Sequence, residues 1–480
     1  MHLGLLYRLS LFSFYCVLAA GTRLTLATEP FKDVTDAVGL KGLSNATAAW
    51  VDFDQDGYVD LYVGGQLWHN IGGKHFELIK DTPLVGPGIW ADYDNDGYPD
   101  VFTFDGVGRV FHNLHGKPFE DIGSRFPSLP MKSSLSAAWG DFDGDGFADL
   151  YIGGYEIEGG GNYPSVLVHN RGDGSFAILW QPPGKPRPAR GITAADFDED
   201  GDLDLYVSNY RLEPNNLWQN NGKGQFTDVA DSAGTAGDGD LGAWGHTIGS
   251  SWGDLDNDGH QDLFVGNFSH PPAYQDRPKF LKNLGPQGQF RFKDLSTDAG
   301  LKWQESFASP TLGDFDNDGK LDLFFTTVYS GDHSVLYRNT GNWHFEDVTG
   351  NSGIQSALTY QAAWADFDND GYLDLVTAGR LYRNPGGANN WLKVQLNGGP
   401  HNRSALGAQV RVKLGDQILT RQVESSTGQG DQNDLLLHFG LGRQRDPVQV
   451  KIRWSDGKEQ TATAKINAVL RIARQPSEAH

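Results

Sequence analysis

Apolar and polar residues alternate along this chain in short runs, broken at close intervals by glycine, asparagine and aspartate. Runs such as Leu61-Tyr62-Val63, Leu150-Tyr151-Ile152 and Leu205-Tyr206-Val207 have the length of strands, and long helical periodicities are few. A second kind of run ends in asparagine: Leu67-Trp68-His69-Asn70, Val110-Phe111-His112-Asn113, Leu167-Val168-His169-Asn170 and Leu217-Trp218-Gln219-Asn220. It returns as Phe280-Leu281-Lys282-Asn283, Leu336-Tyr337-Arg338-Asn339 and Leu381-Tyr382-Arg383-Asn384. A third kind, Phe-x-Asp-Val in form, follows a glycine-containing turn. It starts at Phe76, Phe119, Phe176 (degenerate), Phe226, Phe292 and Phe345, and once ahead of all the others at Phe31. Strand sets that recur at such spacing predict a propeller or solenoid.

Between the first two strands of every unit stands one polar pattern, Asp-x-Asp-x-Asp-Gly-x-x-Asp. Its acids are Asp52, Asp54, Asp56 and Asp60; Asp92, Asp94, Asp96 and Asp100; Asp141, Asp143, Asp145 and Asp149; Asp196, Asp198, Asp200 and Asp204. The remaining copies are Asp254, Asp256, Asp258 and Asp262; Asp314, Asp316, Asp318 and Asp322; Asp366, Asp368, Asp370 and Asp374. Four carboxylates this close repel one another unless a hard cation sits between them, and oxygen donors two residues apart on a tight loop suit Ca2+. Position seven holds Tyr58, Tyr98, Phe147, Asp202, His260, Lys320 or Tyr372, an indifference expected where the backbone carbonyl is the ligand. Position two is always apolar (Phe53, Tyr93, Phe142, Phe197, Leu255, Phe315, Phe367) and is expected to pack beneath the loop. No acid stands at position twelve, so the loop feeds a strand and is not an EF-hand. Solvated acidic turns are the bland alternative. All 28 ligand positions being Asp weighs against it.

Seven units are predicted, and the ends of the chain suggest how they close. The last unit lacks a Phe-x-Asp-Val strand, while the chain opens with a spare one, Phe31-Lys32-Asp33-Val34. Letting the first strand complete the last blade closes a ring and removes exposed sheet edges. The expected fold is all-β: a seven-bladed β-propeller over 28–387, followed by a small antiparallel β-sandwich-like domain over 388–475. Trp50, Trp90, Trp139, Trp252, Leu312 and Trp364 lie two positions before loops and read as packing between blades.

Charge and address follow from the same pattern. The formal charge is −22; seven divalent ions carry +14 and would leave −8, so the acidity is mostly ligand. That argues against nucleic acid or anionic membrane as a partner. Residues 1–27, with Arg8 before an apolar run, read as a secretory signal peptide, and the run is too short for a confident membrane span. The one cysteine, Cys16, falls within it, so the mature chain would be held by calcium and not by disulfides. A secreted, periplasmic or cell-surface location is expected.

After Pro385-Gly386-Gly387 the acidic repeat stops and alternating strands begin: Leu392–Leu396, Gln409–Leu414, Leu435–Phe439 and Val448–Trp454. The Asp-rich loops followed by strands resemble FG-GAP/VCBS repeats. Leu406-Gly407-Ala408-Gln409-Val410, His438-Phe439-Gly440-Leu441-Gly442 and Trp454-Ser455-Asp456-Gly457 resemble an ASPIC/UnbV domain. The pairing is similar to the cartilage acidic protein-like family from residue 31 to about 475. It implies a secreted calcium-binding propeller, with up to seven Ca2+ ions, and no established catalytic activity. The chain departs from that family at Gly428-Gln429-Gly430-Asp431-Gln432-Asn433, where a Gly-Tyr-x-Ser-Gln-like segment is usual.

The leading reading is a protein- or glycan-binding adhesion module. A propeller enzyme of the polysaccharide-lyase or phosphoesterase type comes second, and a structural subunit of a surface assembly third. For an enzyme there is no mature Cys and no Gly-x-Ser-x-Gly elbow. His69, His112 and His169 share one repeat position and read as repeat-dictated surface residues; His246 breaks the repeat. Insertions at 156–163, 231–247 and 268–276 are where specificity is expected. Arg171-Gly172-Asp173 occupies a repeat turn, and Asn45, Asn267 and Asn402 are glycosylation sequons.

Overall fold

A computed structural model describes residues 29–475, apart from 105, 107, 117, 118, 239–243 and 270–275. The predicted signal peptide with Cys16, and the centres of two insertions, lie outside the described residues. The first repeat shows the plan. The innermost strand Ala48–Val51 pairs antiparallel with Asp60–Val63, then Gln66–Asn70, then the outer strand Phe76–Leu78. The first two strands are buried from end to end, because a neighbouring sheet packs on each face; the outer strand buries only Phe76.

Among the described residues, seven four-stranded sheets follow this plan, one for each acidic loop. Their innermost strands, Ala48–Val51, Gly88–Ala91, Ala137–Gly140, Ala189–Ala195, His246–Gly253, Pro310–Gly313 and Ala362–Ala365, neighbour one another in that order, and the last returns to the first. The sheets are the blades of a β-propeller. In the last sheet the outer strand is Lys32–Asp33, paired with Arg383 and Tyr382, so the spare N-terminal strand does complete it. Trp50, Trp90, Trp139 and Trp364 are buried between sheets, and Trp50 Nε1 donates to Ala363 O of the adjoining sheet at 3.2 Å.

The C-terminal residues form two sheets. One contains Gln417–Gln422, Gln409–Leu414, Val448–Arg453 and Glu459–Ala464; the other contains Leu437–Gly442, Asn390–Asn397 and Ala468–Ala473. The sandwich is not wholly antiparallel: Asn390–Asn397 pairs parallel with Ala468–Ala473. The first and last strands of the domain thereby lie side by side, a pairing no local turn can announce.

Between the two sheets the chain leaves the sandwich and enters the axis of the propeller. Residues 422–434 bond to the innermost strand of every one of the seven sheets. Gln432 N donates to Ala48 O and Gln432 O accepts from Trp50 N, while the Gln432 side chain bonds both polar backbone groups of Trp90. Ser425 Oγ reaches Trp139 O, Ser426 Oγ reaches Ile192 O, and Gly428 N donates to Ser250 O. Thr311 Oγ1 and Trp364 N both donate to Asn433 Oδ1, at 3.0 and 2.8 Å. Buried backbone groups at the hub, which sheets alone leave unpaired, find their partners here.

Candidate metal centres and the domain seated on them

Each acidic loop is a self-bonded turn. In the last copy, Asp366 Oδ1 and Oδ2 accept from Asp370 N and Gly371 N at 2.9 and 2.8 Å, and Asp370 Oδ1 accepts from Tyr372 N at 3.0 Å. Position four has positive φ in every copy (Gln55, Asn95, Gly144, Glu199, Asn257, Asn317, Asn369), which suits Asn and Gly. Glycine at position six is required twice over in this copy: Gly371 has φ +91°, and a Cβ there would run into the Trp391 ring. The apolar residues at position two are buried beneath the loops, as expected.

The ninth-position aspartates are the most deeply buried. Asp374 Oδ2 accepts from Phe367 N at 3.2 Å and Oδ1 from Asn384 N at 2.7 Å, and the other six repeat this pair of bonds. Burial pushes Asp60 up to about 9 and Asp100 to about 8. The first-position carboxyls Asp52, Asp92, Asp141, Asp196 and Asp254 rise to about 7, again from burial, with the neighbouring loop acids adding to the shift. Burial outweighs the cations that reach some of them, His112 at Asp100 and Arg453 at Asp196. Among the described residues, the buried carboxylate oxygens without a hydrogen-bond partner are Oδ1 of Asp54, Asp141, Asp196, Asp198, Asp256 and Asp368, all at position one or three of a loop. In the first loop, ligand oxygens of Asp52, Asp54 and Asp60 lie within 4.8 Å of one another. Donors that are all oxygen, anionic and buried fit a hard divalent cation. With such an ion, positions one, three, five and nine would supply side-chain oxygens and position seven its carbonyl.

The third strand contributes two residues whose roles the sequence left unread. Its terminal asparagine is a staple. Asn113 Nδ2 donates to Pro99 O of its own loop and to Phe53 O, the second position of the preceding loop, at 2.9 and 2.8 Å. Every repeat does the same, and Asn70 closes the circle by reaching Phe367 O at 2.8 Å. The residue before it faces the third-position aspartate. His69 Nε2 lies 3.0 Å from Asp54 Oδ2, His169 Nδ1 3.0 Å from Asp143 Oδ2, and Arg338 Nε 2.9 Å from Asp316 Oδ2. Lys282 bonds Asp256, and Arg383 bonds Asp368. The three histidines are therefore half-buried loop partners, not the surface residues expected. His112 is held protonated up to about 9, chiefly by its bond to Asp100.

The sandwich rests on this loop face. Lys393 Nζ, 2% exposed, lies 2.7 Å from Asp366 Oδ2; Arg453 Nη1 lies 2.9 Å from Asp196 Oδ2; Gly440 N donates to Asp314 Oδ2 at 3.1 Å. Glu199, the extra acid of the fourth loop, bonds His260 of the fifth and Arg411 of the sandwich at 2.8 and 3.2 Å. At the opposite end of the hub, Arg190 crosses from the fourth sheet to donate to Tyr360 Oη at 2.7 Å, and its guanidinium lies over the Tyr210 ring at 4.6 Å. His246 packs on Tyr210 with ring centroids 4.7 Å apart. Arg171-Gly172-Asp173 is an exposed turn closed by Arg171 N to Ser175 O. Asn267 and Asn402 are buried and bonded to Arg277 O and Leu406 O, which hides both from glycosylation in the folded chain.

A ring of sheets joined through Asp-rich loops and capped by a β-sandwich defines a repeat propeller of the FG-GAP kind. The chain belongs to the FG-GAP-like repeat family: its model matches residues 52–103, 92–152, 158–207, 196–265, 254–325 and 314–377, well over half of the chain. The ASPIC and UnbV model matches 398–479. Cartilage acidic protein 1 of Xenopus tropicalis is 28% identical over 311 residues, and that of Mus musculus 27% over 310; each alignment covers 59% of this chain. The chain spans less than half the length of these relatives, 45% of each. Among solved structures, a lectin of Agrocybe aegerita, described for recognition of non-reducing terminal N-acetylglucosamine, overlaps with TM-score 0.37 and 18% identity over 65% of this chain and 83% of its own.

Proposed function

We propose that this chain is an exported, calcium-loaded, seven-bladed propeller that serves as a protein- or glycan-binding adhesion module. The observation that carries the metal assignment is the set of buried first- and third-position carboxylate oxygens with no partner. An ion of charge two answers the missing contacts in the five loops that hold these oxygens, and the upward shift of the loop acids extends the reading to the other two. Millimolar calcium outside cells suits loops of this kind, and among the described residues no helix is long and apolar enough to cross a membrane. The loop face is covered by the sandwich and the hub is filled from that side, which leaves the opposite mouth, with Arg190, Tyr210 and Tyr360, for a partner.

Elemental analysis of protein purified in millimolar calcium tests the first half: several equivalents of calcium per chain are expected, and none would refute it. A glycan and protein pull-down with Tyr210→Ala and Tyr360→Ala tests the second. Captured partners should be lost in these variants while bound calcium stays unchanged.

A further inference from the structure

A cavity of about 100 Å³ lies where the innermost strands of the fifth to seventh sheets meet the sandwich. The repeat itself marks the place. Position eight of the acidic loop is Val59, Pro99, Ala148, Leu203, Leu321 or Leu373 in six copies, but Gln261 in the fifth. Gln261 is 3% exposed, lines the cavity, and neither its Nε2 nor its Oε1 has a partner. A buried amide that interrupts an apolar register and bonds nothing is costly without something to meet it.

Arg421 lines the same cavity and is 8% exposed. Its Nη1 donates to Thr420 O at 2.9 Å, while Nε and Nη2 have no partner. Those two nitrogens form the side-on fork that takes a carboxylate through two parallel hydrogen bonds. Asp254 and Asp314 account for a positive charge in this region, but neither is paired with the fork. Glu424, half-buried on the cavity wall, has no hydrogen bond or ion pair among the described residues, and desolvation pushes its carboxyl well up. His438 presents Nε2 to Gly371 O at 3.1 Å and leaves Nδ1 unpartnered; burial holds the ring neutral. A cationic fork and the unpaired Glu424 carboxyl thus line one cavity, together with Asp314, which bonds Gly440 N, and Asp434, which bonds Leu436 N.

We propose that this cavity binds a small zwitterion of the α-amino-acid class, its carboxylate on the Arg421 fork and its ammonium on Glu424, with Gln261 bonding either end. A guest with both charges satisfies the fork and the acid together, which separate waters do only one group at a time. The site adjoins the metal loops, since Gln261 belongs to the fifth and Asp314 of the sixth also lines the cavity, and it is distinct from the proposed partner face.

The test is titration calorimetry of the full-length protein in calcium with glycine, and in parallel with acetate, followed by a crystal structure in glycine. One equivalent of glycine should bind, with acetate weaker by about tenfold or more. Arg421→Lys keeps the charge and removes the fork; Gln261→Leu restores the residue other repeats use, so it should fold even if the arginine variant does not. Each is expected to weaken glycine by about tenfold or more. Absence of glycine binding at millimolar concentration, density for ordered water only, acetate binding as tightly as glycine, or unchanged binding in Gln261→Leu would overturn the proposal.

Discussion

A single asparagine at the end of each third strand links carbonyls from two loops, and this is where one residue does most for the ring. Asn339 Nδ2 donates to Leu321 O at 3.0 Å and to Leu255 O of the preceding loop at 2.8 Å, all out of contact with water. Asn339→Ala leaves two buried carbonyls unpaired, so urea denaturation should show a loss of about 2–6 kcal/mol, at roughly 1–3 kcal/mol for each orphaned group. A loss below about 0.5 kcal/mol, the level of an ordinary surface change, would show that the staple does not hold the ring. The recurrence of this asparagine was plain in the sequence; its second target was not, because that carbonyl sits on another sheet, 297 residues away for Asn70. The loop acids carry a second expectation at this scale. Their first-position carboxyls are raised from 3.8 to about 7 by burial. A raised pKa favours the folded state at low pH, and that stability is lost as pH climbs through about 7. Metal-free protein should therefore melt lower as pH rises from about 4 to 7. Calcium affinity should rise over the same range with release of protons, measured by calorimetry in buffers of different ionisation enthalpy. An affinity flat across that range would contradict the burial argument.

The strand Lys32–Asp33 is two residues long, yet it covers the edge of the last sheet. Thr35 Oγ1 accepts from Leu381 N at 3.0 Å, and Phe31 fills a core with Phe315 and Trp364. Removing residues 29–35 uncovers Arg380–Arg383 and opens that core, so light scattering on warming should reveal earlier aggregation than in the full chain. Equal onset temperatures would mean the edge is protected by other means. Elements were legible where a local signal existed. The acidic loop dictates the turn between the first two strands, asparagine ends the third, and glycine turns precede the outer ones. The C-terminal strands Gln417–Gln422 and Glu459–Ala464 went unread: the first buries Thr420, Arg421 and Gln422 while exposing Ile418, and the second alternates Thr with Ala and Gln, so neither shows a strong apolar alternation. Residues 422–434 were unreadable as a plug for a different reason: Ser, Thr, Gly and Gln look like any loop until the backbone groups they satisfy are known to line a hub.

At the scale of the molecule, the sandwich places its cations on the carboxylates that the proposed calcium ions would take. Lys393 places its ammonium 2.7 Å from Asp366 Oδ2 with both groups out of water, and a calcium ion in that loop would draw on the same aspartate. Two positive charges then compensate one buried site, so the cost of losing either depends on the other. Lys393→Met removes the ammonium and leaves Asp366 relying on the ion alone. In chelator the variant should lose about 3–5 kcal/mol, as when one partner of a buried pair is deleted. In saturating calcium the loss should be smaller, because the carboxylate keeps a counter-charge. Chemical denaturation of both proteins in both conditions gives the coupling directly as a difference of differences. A loss of the same size with and without calcium would mean that the ion does not engage Asp366, and that the sandwich is seated on the propeller without regard to what the loops hold.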